Sequence, residues 1–169
     1  DPTINNSFFQ GNKASYDGSG IANMGSQPVI TGCVFVGNFP ANNYAGNVVC
    51  NLSSYPTITN CSFVSNAMGE YGNGGGIDGS AQISNSILWG NTSYGFFQNL
   101  VLSDSGSDVT YNNIQDGWPG EGNINMTPKF VRFPYAGADG VWGTDDDDYG
   151  DLRLQTDSPC IDQGSNAAV

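Results

Sequence analysis

The chain repeats itself about every 26 residues, and this period constrains the fold more than any single motif does. Ile4, Ile30, Ile58, Ile83 and Val109 share one column, with successive spacings of 26, 28, 25 and 26 residues. Columns three, five and eight residues further on hold small, large apolar and mainly amide side chains. In that order they are Ser7, Cys33, Cys61, Ser86 and Asn112; Phe9, Phe35, Phe63, Leu88 and Ile114; and Asn12, Asn38, Asn66, Asn91 and Gly117. Units of this length bury their apolar faces by stacking on their neighbours.

Each repeat is predicted to contain a tight corner between two short strands. Inward positions of a straight strand recur every two residues, but the small and large apolar columns follow the isoleucine column by three and five. In four of the five repeats, Asn or Gly stands two residues after that column, and both enter the left-handed region readily. The predicted corner positions are Asn6, Gly32, Asn60, Asn85 and Tyr111.

A further short apolar element follows in each repeat and predicts a third strand. These elements lie around Ile21, Val49, Ile77, Leu100 and Ile124. Three short parallel strands per repeat, stacked about 4.8 Å apart, make a solenoid. The sequence therefore predicts an all-β fold, a right-handed parallel β-helix of about five rungs with a C-terminal capping segment.

The glycine-rich stretch FVSNAMGEYGNGGGI, residues 63–77, has the composition of a phosphate-binding loop. Such a loop leads into a helix N-terminus and commonly carries a lysine. Here the glycines lead into Ile77, a predicted strand residue, and no lysine follows. The stretch is therefore interpreted as a turn of the solenoid.

The predicted domain organisation is a repeat region at 1–130 and a cap with an acidic loop at 131–169. The segment DLRLQ, residues 151–155, alternates in polarity and predicts a short strand in the cap. The ends of a strand stack are open sheet edges, which pair with further copies unless they are covered. The N-terminal end has no predicted cover, so we expect the chain to be a fragment of a larger protein.

The charge balance excludes two classes of partner. Four Lys and Arg residues against sixteen Asp and Glu residues give a net charge of −12. This charge repels nucleic acids and anionic membrane surfaces. No apolar run approaches twenty residues, so we expect no membrane insertion by this segment.

Several short motifs resemble those of known bacterial proteins. FQGN at 9–12, FVGN at 35–38 and FVSN at 63–66 alternate with GSGI at 18–21 and GGGI at 74–77. They resemble the F-x-x-N and G-G-A-I repeats of polymorphic outer-membrane proteins and related surface β-helices. The segments GNINMTPKFV, DGVWGTDDDD and SPCIDQGSN are similar to the end of the β-helix in secreted bacterial proteins of the choice-of-anchor type. The resemblance implies export, surface display or secretion, and often adhesion.

The densest acidic cluster lies in ADGVWGTDDDDYGD. Its carboxylates are Asp139, Asp145, Asp146, Asp147, Asp148 and Asp151. Ca²⁺ bound by several of these oxygens would relieve their mutual repulsion, and the predicted role of the cation is structural, fixing the cap. The alternative is a solvated acidic loop. The spacing is not that of an EF-hand, because Tyr149 and Thr156 stand where acidic ligands are required.

Aromatic residues recur shortly before the third strand of each repeat. The series is Tyr16, Tyr44, Tyr71, Tyr94 and Trp118. Aromatic faces in a row can stack on sugar rings or contact a partner protein, so these residues are candidates for binding polysaccharide or another surface protein. The alternative is a structural ladder that covers the turn.

Catalysis is the less favoured interpretation, and no catalytic residue is assigned. Asp78 stands alone in its column, whereas a hydrolase acting on polysaccharide needs paired carboxyl groups and a lyase needs a base near bound calcium. The chain has no histidine, which excludes Ser-His-Asp and Cys-His arrangements. The alternative to a non-catalytic module is a fragment of a polysaccharide lyase or glycoside hydrolase.

The cysteines complete the expectations. Cys33 and Cys61 share an inward column where other repeats carry Ser or Asn, so they are predicted to be free, small and buried. Cys50 and Cys160 would pair if the tail folded back over the rod. The resulting prediction is a non-catalytic extracellular or cell-surface module of a secreted bacterial protein, acting as a stalk, adhesin or matrix component.

Overall fold

Three parallel sheets form the body of the protein. The computed structural model describes residues 1–42, 46–69, 75–93, 96, 97, 99–102 and 106–168. Within these residues every large sheet joins equivalent segments of successive repeats, so the chain coils as an all-β solenoid of about four turns. The parallel stacking predicted from the period is confirmed. The right-handed sense and the count of five rungs stay predictions, as does the domain boundary at residue 130.

The strand bounds follow the predicted columns. The first sheet contains Thr3–Asn5, Val29–Thr31, Thr57–Thr59, Gln82–Ser84 and Asp108–Thr110. The second contains Phe8–Gln10, Val34–Val36, Ser62–Val64, Ile87–Trp89 and Asn113–Ile114. The third contains Ile21–Met24, Val49–Leu52, Ile77–Asp78 and Leu100–Val101. Short strands add Lys13–Ala14 beside Phe39–Pro40, and Ala67–Met68, Thr92–Ser93 and Phe96–Phe97 in one small sheet.

The interior is filled by like residues stacked on like. Ile30 pairs in register with Ile4 and Ile58, and Ile58 pairs with Ile83. Ile30, Ile58 and Ile83 are at most 1% exposed. The Phe35 ring stacks on Phe9 with centroids 4.6 Å apart and on Phe63 at 4.5 Å. Burial of these columns supplies the main free energy of the coil.

The corner prediction is confirmed at every repeat. Asn6, Gly32, Asn60, Asn85 and Tyr111 have φ between 45° and 62°. A second left-handed corner, which the sequence analysis did not assign, lies two residues after the phenylalanine column. Its members are Gly11, Gly37, Ser65, Gly90 and Asp116, with φ between 53° and 69°. Three of these five are glycines, which adopt positive φ readily, so the glycines could have predicted this corner.

The asparagine column forms a continuous buried ladder at the end of the second sheet. Asn38 Nδ2 donates to Asn66 Oδ1 (2.9 Å) and to the Phe9 carbonyl (2.7 Å). Asn66 Nδ2 in turn donates to Asn91 Oδ1 (2.8 Å) and to the Phe35 carbonyl (2.9 Å). Each of the three amides is 0% exposed, so every donor and acceptor must be satisfied inside the coil, and the repeat does this with one residue type.

The small inward column is a second ladder. The Cys33 N–H donates to Cys61 Sγ (3.4 Å), the Cys61 N–H to Ser86 Oγ (3.1 Å) and the Ser86 N–H to Asn112 Oδ1 (2.9 Å). Each side chain thus accepts a main-chain proton from the preceding coil. Both cysteines are free, as predicted, and burial raises the pKa of the Cys61 thiol to about 12.

The last coil departs from the predicted pattern. Ile124, expected in the third sheet, instead bridges to Asn113 at the end of the second sheet, and its carbonyl accepts the Ile114 N–H at 2.9 Å. The Gly117 N–H donates to the Ile114 carbonyl, so the chain turns back after only three residues. Glu121 and Asn123 then accept N–H groups of Tyr111 and Asn112. Residues 121–124 therefore cover this end of the coil, and the prediction for Ile124 was wrong.

The tail has its contacts along the side of the coil. Phe130–Arg132 pairs antiparallel with Asp151–Leu154, which confirms the strand predicted in DLRLQ. A Cβ at Gly37 would lie 2.7 Å from Trp142 and 2.9 Å from Tyr149, so these rings rest against a corner of the second coil. Val36 and Val64 point outward beside Phe35 and Phe63 yet are only 2% and 0% exposed. The tail extends the buried interior to the outer face of the second sheet. A short 3₁₀ helix, Asn166–Ala168, follows.

Candidate functional site

The predicted aromatic row is described at two of its positions. Tyr16 is 85% exposed and presents its ring to solvent. Trp118 is half-buried and packs against the hydrophobic core near the end of the coil. Tyr44, Tyr71 and Tyr94 lie outside the described residues. Only the Tyr16 ring thus has the exposure that stacking on a ligand requires, among the two members that the structure describes.

Two carboxylates of the predicted calcium loop are held in ion pairs. Asp148 accepts hydrogen bonds from Arg132 Nε (2.6 Å) and Nη2 (3.0 Å), and this contact lowers the pKa of the carboxyl. Asp151 contacts Arg153 in the same two-pronged way, and its pKa falls to about 2. The charge of these two carboxylates is therefore balanced by the chain itself.

Three further carboxylates of the loop close its own turns. Asp139 accepts the Val141 N–H at 2.8 Å. Asp146 accepts the Ala138 N–H and the Thr144 hydroxyl, and these bonds lower its pKa. Asp147 Oδ2 accepts the N–H groups of Gly143 (2.6 Å) and Thr144 (3.1 Å) and the Tyr149 hydroxyl (3.1 Å). Asp145 is exposed.

These hydrogen bonds leave one buried carboxylate oxygen of the loop, Asp147 Oδ1, without a partner. The carboxylates point at separate N–H groups and at two different arginines. Among the described residues, no three Asp, Glu, Cys or His side chains converge as a metal-binding group. Calcium in the loop stays a prediction, and the arrangement itself is that of a folded acidic loop.

A carboxylate pair that the sequence did not bring together lies beside the third sheet. Asp17 Oδ1 accepts the Gly46 N–H at 3.1 Å, and Asp78 Oδ2 accepts Asn47 Nδ2 at 2.9 Å. Two acidic side chains from the first and third coils therefore meet one dipeptide of the second. Burial raises the pKa of Asp78, and the nearby Asp17 carboxylate raises it further. The repeat pattern does not predict this pair, because Asp17 and Asp78 are far apart in the sequence and belong to different columns.

Cys50 belongs to the same place. It pairs in register with Asp78 on the third sheet and is 1% exposed. Burial, reinforced by Asp17 and Asp78, raises the pKa of its thiol to about 11. Cys160 instead lies beside Asn113, whose Nδ2 donates to its sulfur at 3.0 Å. Both thiols are free, so the pairing expected from a folded-back tail was wrong.

A groove of about 460 Å³ lies between the last coils and the tail. Its walls include Asn60, Tyr111, Cys160 and Gln163. Asn85, also in its wall, is already bound, because its amide donates to the Ser165 carbonyl and accepts the Ser165 N–H. Asn85 thus fastens the tail to the coil.

No family model, curated protein or solved structure matches the chain. Among the described residues, no helix is long and apolar enough to span a membrane.

Proposed function

We propose that the chain is a non-catalytic module of an extracellular or cell-surface bacterial protein, in which it serves as a stalk, adhesin or matrix element. The observation that supports this role is the use of the repeated side chains. The isoleucine, phenylalanine, small and asparagine columns all hold one coil to the next. A rod with such a repeat is extended by adding coils, which suits a spacer or a long contact surface.

Export, secretion and surface display are part of the same proposal. They are supported by the F-x-x-N and glycine-rich repeats, which resemble those of secreted and surface β-helices, and by the acidic composition. Antibodies raised against the purified chain should label intact cells of the source organism or its growth medium. Antigen confined to the cytoplasm would contradict the proposal.

Adhesion is proposed to involve polysaccharide or a surface protein, with Tyr16 as the described aromatic contact. Its ring is 85% exposed, so a sugar could stack on it. A glycan array should show binding that Tyr16→Ala weakens about tenfold, which corresponds to about 1.4 kcal/mol. Tyr135→Ala is the matched control, because Tyr135 is also exposed, at 60%, but lies in the tail. Equal binding by both variants would remove Tyr16 from the contact.

The carbohydrate-active alternative is favoured by one observation, the nearness of Asp17 to Asp78. A carboxyl whose pKa is raised, as that of Asp78 is, has the character of a general acid. Incubation with acidic and neutral polysaccharides, with and without Ca²⁺, tests this function. New reducing ends or unsaturated products that disappear in Asp78→Asn would replace the non-catalytic proposal.

A further inference from the structure

Two buried polar oxygens beside Asp17 and Asp78 lack a partner. Asn47 is 2% exposed and donates through Nδ2 to Asp78, yet its Oδ1 has no hydrogen-bond partner. Ser19 is 8% exposed, and its hydroxyl also has none. The Ser19 N–H donates to the Asn47 carbonyl at 3.0 Å, so the two residues with unpartnered oxygens are neighbours in adjacent coils. A buried oxygen without a donor loses its solvation, and a bound cation restores it.

The charge of this pair is not balanced by the chain. All four basic side chains are described, and three of them pair with tail aspartates: Lys129 with Asp157, Arg132 with Asp148, and Arg153 with Asp151. The fourth, Lys13, lies over the Phe39 ring at 5.5 Å. Asp17 and Asp78, which contact the adjacent residues Gly46 and Asn47, therefore have no ion-pair partner among the described residues.

We infer that a Ca²⁺ site lies beside the third sheet, where the first three coils adjoin. Its ligands are Asp17, Asp78 and the amide oxygen of Asn47. The donors are carboxylate and amide oxygens, which suit hard cations. They come from three successive coils and include an exposed loop carboxylate, Asp17. Such a set suits the flexible coordination of Ca²⁺ better than the strict octahedron of Mg²⁺, with water completing the shell. The cation would tie three coils together on the flank of the rod.

The Asn47 amide already reaches Asp78, because Nδ2 donates to Asp78 Oδ2 at 2.9 Å, and this contact leaves the buried Oδ1 as the acceptor for the cation. Cys50, although adjacent, is a soft thiol and is not a ligand of this site.

Thermal unfolding with and without Ca²⁺ tests the inference, in buffer with 150 mM NaCl to screen general charge effects. At 10 mM Ca²⁺ and a dissociation constant on the order of 1 mM, we expect the melting temperature to rise by about 3 °C. Asp17→Asn and Asp78→Asn should abolish this rise. Asp145→Asn removes the same charge from the exposed tail loop and should keep it.

Each outcome decides the inference. A rise that persists in Asp17→Asn, or no rise in the parent chain, overturns it; a rise lost only in Asp145→Asn assigns calcium to the tail loop instead. An equal rise with 10 mM Mg²⁺ overturns the choice of Ca²⁺. Asp17 is exposed, so its variant is expected to keep the parent circular dichroism and decides the test even if Asp78→Asn fails to fold. Tb³⁺ luminescence, sensitised by the neighbouring Tyr16, gives a second readout that should fall about tenfold or more in Asp17→Asn.

Discussion

The coil and the tail satisfy their polar groups in opposite ways. In the coil, the Asn66 amide is bound by Asn38 above and Asn91 below, each its equivalent in a neighbouring repeat. In the tail, Asp147 closes its own turn and Asp148 binds one particular arginine. In a repeat, the hydrogen-bond partner of a side chain is the equivalent residue of the next coil. In a segment that does not repeat, the partner is a different group of the same segment or of an adjacent one. Loss of one coil residue should therefore affect three layers, and loss of one tail residue a single contact.

Phe35→Ala should give the largest effect on the coil. The ring is 0% exposed and stacks on both neighbours, so its removal leaves a cavity and breaks two stacks. We expect the free energy of unfolding to fall by about 4 kcal/mol. Urea denaturation measures it, with Phe8→Ala as the control, since Phe8 is 76% exposed in the same sheet. Equal losses in the two variants would contradict the stacked interior.

Asn66→Ala tests the amide ladder. The substitution leaves Asn91 Oδ1, the Phe35 carbonyl and the Asn38 amide short of partners in a site that water does not reach. We expect a loss of about 3 kcal/mol. Asn12→Ala removes an exposed end of the same ladder and should cost only about 1 kcal/mol. A smaller loss at Asn66 than at Asn12 would show that the ladder is not cooperative.

Gly37→Ala probes the seam between coil and tail. Gly37 has φ of 60° and lies against Trp142 and Tyr149, so a methyl group adds both strain and a clash. Gly25→Ala is a matched control, because Gly25 has φ of 59° with no atom within 4 Å of the added Cβ. We expect losses of about 2 and about 1 kcal/mol, respectively. Near-ultraviolet circular dichroism of Trp142 should change only in Gly37→Ala; an unchanged spectrum there would contradict the docking of the tail.

The smallest expected effect is an opposite pH dependence of the two acidic regions, measured in EDTA. The folded pKa of Asp151 is about 2, below its ordinary 3.8, so its contribution is present above pH 3.8 and is lost as the pH falls towards 2. The folded pKa of Asp78 is raised, so its contribution is present below pH 3.8 and is lost as the pH rises through the raised value.

Denaturation curves between pH 2.5 and 7 separate the two contributions. Asp151→Asn should remove part of the decline below pH 4, and Asp78→Asn should remove a decline at higher pH. If both substitutions removed a decline of the free energy of unfolding in the same pH range, the two regions would not differ in their pH dependence. Because the Asp151 pair is exposed, its amplitude should be small.

The sequence by itself determined the coil. Its period places Ile30 on Ile58, Phe35 on Phe63 and Asn38 on Asn66, and its Asn residues predict the corners at Asn6 and Asn60. The reason is physical: in a stack of like units, the partner of a residue is its own equivalent one period away. Residues that share a column are thus contacts, and the sequence contains the columns.

Tertiary structure alone decided the contacts that do not repeat. Asn99, eight residues after Asn91, takes the next place in the amide ladder, where the period had indicated Gly117. Ile124 covers the second sheet, the tail lies along the side, and Asp17 and Asp78 contact adjacent residues of the second coil, Gly46 and Asn47. Of the candidate sites, the sequence predicted the acidic loop and Tyr16, which stay predictions, but not the partners that fold the loop. Such contacts depend on where loops of different lengths return to the rod, and no column of the sequence records that.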